Sequence, residues 1–344
     1  MVQIVVNQLY ANHFKARDEY CVLSLLLQLM SDECTKSKAA PQLLSAVTPC
    51  TKLLAAYTRR GPAIEALSHA LLKPLALVLA RKRLLLSFEP AQEYAEMLSE
   101  LRNHADADER TQLKDEIASA EAWAIPEVRK VVSQRVRNVV DITELFLTRI
   151  IAARSELPYG VRALAKRAHE IAQDRFPQAS ESARFTGVAN LFWVSFICPA
   201  IISPATYGLC SVSNSPTGTM RANLVAIATA LHRVGACMPY DEVAEPWKAP
   251  LSALVSGSTE LMRQFYSALT EVPELEEQRS LTVYLESCES LRPIRCFELN
   301  ALFLLHALSY RDFEAVGDGV ESGNELHKVL LQLGNMPEQV RILG

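Results

Sequence analysis

Apolar residues recur along this chain at the spacing of one face of a helix. Val22, Leu25, Leu26 and Leu29 fall at i, i+3, i+4 and i+7, and Val139, Ile142, Phe146 and Ile150 repeat the stripe. Phe185, Val188, Phe192 and Phe196 do so again. No segment sustains the two-residue alternation of a half-buried strand, and no repeat of roughly 20 to 50 residues marks a solenoid. The pattern predicts an all-α fold with a central buried helix and flanking helices.

Local signals place the boundaries. Thr48-Pro49 pairs a hydroxyl N-cap with proline at the first helical position, which opens a helix. That helix is expected to run through Lys52, Leu53, Leu54 and Tyr57 to Arg59-Arg60, where Gly61-Pro62 stops it. Residues 42–47 then form a short surface loop leading into a helix N-terminus. The polar run 103–110 reads as a connection between helices, and Leu157-Pro158-Tyr159-Gly160 ends one helix and starts another. Residues 211–219 concentrate Ser, Asn, Pro and Gly and read as a loop, with helices resuming at about Met220. With no low-complexity linker, residues 1–344 are expected to form one helical unit. Its core lies at about 20–270, with flanking helices at both ends and 271–344 at the C-terminal side.

Composition agrees with helix and narrows the chemistry. Glycine is scarce, 12 of 344 residues, which disfavours a turn-rich β architecture. The formal charge of −4 and pI near 6.0 give no overall basic field, so nucleic acid is not an expected partner. Arg81-Lys82-Arg83 is the densest basic run and reads as a solvated helix end. The eight cysteines include no Cys-x-x-Cys pair, and the seven histidines lack the spacing that puts two ligands on one helix face. No metal or other cofactor is expected. The cysteines read as reduced core thiols of a cytoplasmic protein. From residue 185 to 220 there is no charged side chain, and 185–202 is about long enough to cross a bilayer. Asn190 and Ser195 in mid-span, Pro199 near the end and the lack of flanking Lys/Arg clusters favour a buried central helix over a transmembrane segment.

The run Phe192-Trp193-Val194-Ser195-Phe196-Ile197-Cys198-Pro199-Ala200-Ile201-Ile202-Ser203-Pro204 resembles the Ras GTPase-activating signature, approximately Phe-Leu-Arg-Phe-Ile-x-Pro-Ala-Ile-x-x-Pro. Upstream, Leu157-Pro158-Tyr159-Gly160-Val161-Arg162 and Arg175-Phe176-Pro177 are similar to the family's Met-Pro-Tyr-Gly-x-Arg and Lys-Phe-Pro elements. Residues 5–20, Leu71-Leu72-Lys73-Pro74-Leu75 and 326–334 resemble segments of the IQ-motif GAP-related group, so the likeness covers nearly the whole chain. It implies a helical domain with a shallow groove that grips the switch regions of a GTP-loaded Ras- or Rho-family small GTPase. Any membrane recruitment would be peripheral, through that GTPase.

Activators of this family place an arginine finger against the transferring phosphoryl group, a gain established for the family at about 10³ to 10⁵ in rate. That is about 4 to 7 kcal/mol of barrier. The resemblance puts the finger position at Ser45, or at Ala46 in a register shifted by one, and no arginine occurs between Arg17 and Arg59. The arginine that braces the finger loop aligns with Ser195, and a lysine of the helix after the variable loop aligns with Thr229. All three are neutral, which implies a chain without catalytic residues of its own. Ser195 is expected to be buried. The expected GTPase-binding residues are Ser45, Ala46, Thr48, Thr51, Lys52, Ser195, Pro199, Ala200 and Thr229.

Three readings follow. The first is a regulator that binds a GTP-loaded GTPase with weak or no activation, as the IQ-motif GAP-related group does with threonine at the finger position. The second is an active GTPase-activating protein. The third is a helical structural protein that keeps only the scaffold.

Overall fold

The computed structural model describes residues 15–104, 117–211 and 215–280. The chain divides into two compact units, Leu23–Gln278 and a second formed by Met1–Val22 with Arg279–Gly344. The closing segment 326–334 and the helices expected beyond residue 280 lie outside the described residues.

Among the described residues every regular element is helical. In order they are α1 (Ala16–Cys34), a 3-10 turn (Ala40–Gln42), α2 (Pro49–Tyr57), α3 (Gly61–Leu79), α4 (Pro90–His104), α5 (Ser119–Ala124) and α6 (Pro126–Ala152). Then come a 3-10 turn (Ala153–Glu156), α7 (Tyr159–Arg175), α8 (Glu181–Arg184), α9 (Thr186–Ala189), a π-helical segment (Asn190–Ile197) and α10 (Cys198–Ile202). A 3-10 turn (Pro204–Tyr207), α11 (Gly218–Gly235), a further 3-10 turn (Pro246–Lys248) and α12 (Ala249–Thr270) complete them.

The longest helix, α6, packs against α3, α4, α5, α11 and α12. Val128, Val132, Val136, Val139, Ile142, Phe146 and Ile150 give it a continuous buried stripe. Behind it, the uncharged run is a buried central segment, as its apolar composition requires: Phe185, Val188, Phe192, Trp193 and Phe196 are all enclosed. Phe192 meets Trp193, Phe196 and Phe265 at ring centroids 5.2–5.8 Å apart, all edge-on. Trp193 Nε1 donates to the Tyr266 hydroxyl (2.7 Å), which donates to the Gly235 carbonyl (2.6 Å). A Cβ at Gly235 would stand 1.9 Å from Trp193 Nε1, so only glycine lets α11 approach this closely.

The motifs upstream of the signature have structural work. Arg162 donates to the carbonyls of Leu269, Ala268 and Glu271, closing the C-terminal end of α12 (2.9–3.3 Å). Arg175 Nη2 donates to Thr35 and Ser37 carbonyls (3.0 and 3.1 Å), tying down the chain that follows α1.

Three expectations shift. In α1 the enclosed positions of the main unit are Leu23, Leu26, Met30 and Cys34, while Leu25 is 41 % exposed, so the buried face is rotated from the expected stripe. The helix opened by Thr48 ends at Tyr57, and Gly61-Pro62 begins α3 instead of merely stopping α2. Pro62 suits this because a first-turn proline costs no ladder hydrogen bond. Finally, among the described residues the helix long and apolar enough by length and composition to cross a bilayer is α3, not the central segment. Its Ala63, Leu67, Leu71, Leu75 and Val78 face inward to the protein core.

Candidate functional site

The candidate site is built on residues 43–48, the connection entering α2. Its root is buried: Leu43 and Leu44 are 1 % and 5 % exposed. Leu44 takes a left-handed φ of 54°, a conformation that costs a non-glycine residue about 1–2 kcal/mol. Burial of its side chain and the anchoring of its neighbour offset that cost. Asn190 Nδ2, from the π-helical segment, donates to the Leu43 carbonyl at 2.8 Å inside the protein. The tip is open: Ser45 and Ala46 are exposed and Val47 is 84 % exposed. Ser45 Oγ donates to the Gln42 carbonyl at 3.0 Å.

The far side of the loop is fixed by a capping box. Thr51 N donates to Thr48 Oγ1 (3.2 Å), Thr48 N to Thr51 Oγ1 (2.8 Å), and Thr51 Oγ1 also reaches the Ala46 carbonyl at 3.0 Å. Two of the first-turn N–H groups of α2 are bound within its own cap and first turn. Pro49 has no N–H, Thr51's is taken by the cap, and Lys52's is bound by the Thr48 carbonyl (3.0 Å). Lys52 itself is exposed one turn into the helix.

The other expected positions separate into surface and support. Thr229 is exposed on α11. Cys198 Sγ donates to the carbonyl of Ala228, its neighbour, at 3.4 Å, which brings the start of α10 beside that point. Pro199 is half-buried. Ser195 is only 6 % exposed and Ala200 is fully enclosed, so these two support the surface from behind and do not form it, a correction for Ala200 above all. The Ser195 carbonyl accepts from Thr58 Oγ1 at 3.1 Å, fastening the end of α2 to the π-helical segment. The outward residue of this turn is Val194, 43 % exposed.

The two arginines past α2 are committed elsewhere. Arg59 Nε donates to the Tyr207 hydroxyl at 3.1 Å, with its guanidinium 5.4 Å from that ring. Arg60 is buried with its guanidinium 5.2 Å from the Tyr57 ring centroid. Both lie beyond a helix whose nine residues rise about 14 Å from the loop. Burial pushes the Cys198 and Cys50 thiols up to about 12 and Cys34 to about 11, so they stay protonated and unreactive near neutrality. Among the described residues no three His, Cys, Asp or Glu side chains are grouped to hold a metal ion.

The loop is thus exposed at its tip, buried at its root and clamped from the central segment that runs on into the Pro-Ala-Ile motif of α10. The profile of the family described as GTPase-activator protein for Ras-like GTPase matches residues 25–236. The chain belongs to the RasGAP family. It is 28 % identical over 311 residues, 90 % of its length, to the Ras GTPase-activating-like protein gapA of Dictyostelium discoideum. It is 23 % identical to rgaA of the same organism over 96 % of its length, and 23 % identical to human IQGAP3 over its whole length. It spans 36 %, 39 % and 21 % of those three relatives respectively.

Within this RasGAP domain, sequence reasoning missed Asn190 and Thr58, the two side chains that fasten the loop and α2 to the π-helical segment. Asn190 carried a signal. A buried amide inside an uncharged apolar run must find a partner, because an unpaired one costs about 1–3 kcal/mol. Thr58 carried none, since a threonine at a helix end usually bonds its own turn, as it also does here to Ala55.

Proposed function

We propose that the surface around residues 45–48, the first turn of α2 and the exposed face of α11 docks a Ras- or Rho-family small GTPase in its GTP form, with weak or no acceleration of hydrolysis. The observation that carries the reading is the exposed tip at Ser45 and Ala46: the side chains offered there are a hydroxyl and a methyl. Ser195 and Thr229 leave the supporting positions neutral as well, and Arg59 and Arg60 are held by tyrosines. Against a transition state whose charge builds on the phosphoryl oxygens, neutral groups forgo the finger's contribution of about 4–7 kcal/mol. What remains is a rigid, partly apolar surface, with Val47 and Val194 outward, suited to binding. The chain then acts as a regulator or scaffold with no substrate of its own.

A second reading, an active GTPase-activating protein, draws on the family's description and on the names of the relatives. It would require a cation from another chain, or positioning of the GTPase's own glutamine. Titrating GTP-loaded against GDP-loaded GTPases from both groups tests the proposal. Tighter binding of the GTP form by about tenfold or more is expected, and equal or absent binding of both forms to every member would overturn it.

A further inference from the structure

The end of α3 and the turn after it carry a surface that the GTPase reading does not use. No acidic residue occurs from Ala66 to Phe88, while Lys73, Arg81, Lys82 and Arg83 do. On the outward face of α3, Leu72 and Leu77 are 45 % and 52 % exposed beside exposed Lys73, Ala76 and Ala80. Spacings of i, i+4 and i+5 put these residues on one side of the helix. The three basic residues of the turn are exposed, and Leu85 beyond them is 44 % exposed.

This surface is held in shape. Leu84 N bonds the Arg81 carbonyl at 2.9 Å. Buried Asn223 donates to the Leu84 carbonyl (2.7 Å) and accepts from Leu86 N (2.9 Å), so Leu86 turns inward, 0 % exposed, and Leu85 outward. Of the acids that bracket this stretch in sequence, Glu65 lies at the other end of α3, and Glu89 is paired with Lys248 at 3.0 Å.

From this we infer that the C-terminal end of α3 with the 81–85 turn is a docking surface for an anionic lipid bilayer. Leucines alone would suit any apolar partner, and cations alone any polyanion. Their interleaving on one rigid rim fits an interface where headgroups carry the negative charge and apolar side chains enter the acyl boundary. The overall charge of −4 argues against a long nucleic-acid track. The inference stands independently of the proposed GTPase partner.

Co-sedimentation of the full chain with phosphatidylcholine vesicles, with and without about one third phosphatidylserine, tests it. Binding is expected only with phosphatidylserine, falling steeply as salt rises towards about 0.5 M. The pair Lys82→Glu and Arg83→Glu should weaken it by about tenfold or more. Leu77→Ser with Leu85→Ser should weaken it at least threefold at constant charge. Circular dichroism should show each variant folded, as expected for exposed positions. No phosphatidylserine-dependent binding, binding untouched by the charge pair, or binding untouched by the leucine pair would overturn the inference. So would capture of a short RNA in place of vesicles.

Discussion

Asn190 sits where an aliphatic residue would pack as well, and its amide is spent on the carbonyl of Leu43. Asn190→Leu should cost about 1–3 kcal/mol in urea unfolding, because the Leu43 carbonyl stays buried without that donor. The same change should raise amide exchange at residues 44–47 more than in α6, since the loop loses its clamp while the core keeps its stripe. Gly235→Ala should be worse tolerated than most surface changes, costing about 1–3 kcal/mol or more, as its methyl enters the Trp193 ring. Ser45→Arg alone should restore little hydrolysis, because Ser195 and Thr229 remain neutral. A gain of about a hundredfold in single-turnover rate from that change would sink the three-position argument. At this scale the finger, brace and lysine positions were readable because motif spacing fixes them. The burial of Ser195 was readable too, but the outward turn of Val194 and the enclosure of Ala200 were not, because the π-helical segment and α10 together set those faces.

Elements differ in how openly they declare themselves. The Thr48-Pro49 start of α2 was plain, since a cap and a first-turn proline are local chemistry; Thr48→Ala should destabilise by about 1 kcal/mol in thermal unfolding. Its end was not, because Thr58 is drawn to the Ser195 carbonyl, a contact 137 residues away in sequence. The stripe of α6 was legible from one regular period, whereas in α1 a run of leucines offered two faces and packing chose between them. Two helices also carry half-buried histidines. Burial lowers His169, which stacks on Phe185 at 4.2 Å, and His232, where Arg233 adds to the effect. Both are favoured neutral in the fold, so the unfolded chain binds more protons below about pH 6.5. Their contribution is complete above that pH and is lost as pH falls through it towards the lower folded values. Urea midpoints should therefore drop between pH 7.5 and 5.5, and His169→Gln should shrink the drop.

For the whole molecule, the helical class followed from period and composition, and the RasGAP family from a signature whose spacing survives at 28 % identity or less. The rim at α3 was visible in sequence only as a basic run, because the exposure of Leu72 and Leu77 depends on which face meets α6, and that of Leu85 on the Asn223 bonds to its neighbours. The functional account rests on charge offered to a bound nucleotide. The measurement that bears on it most directly is single-turnover GTP hydrolysis by a panel of Ras- and Rho-family GTPases, with the chain at saturating concentration and without it. The rates should differ by less than about tenfold, far short of the roughly 10³ to 10⁵ that an arginine finger supplies. Acceleration of about 10³ or more for any member of the panel would contradict the account.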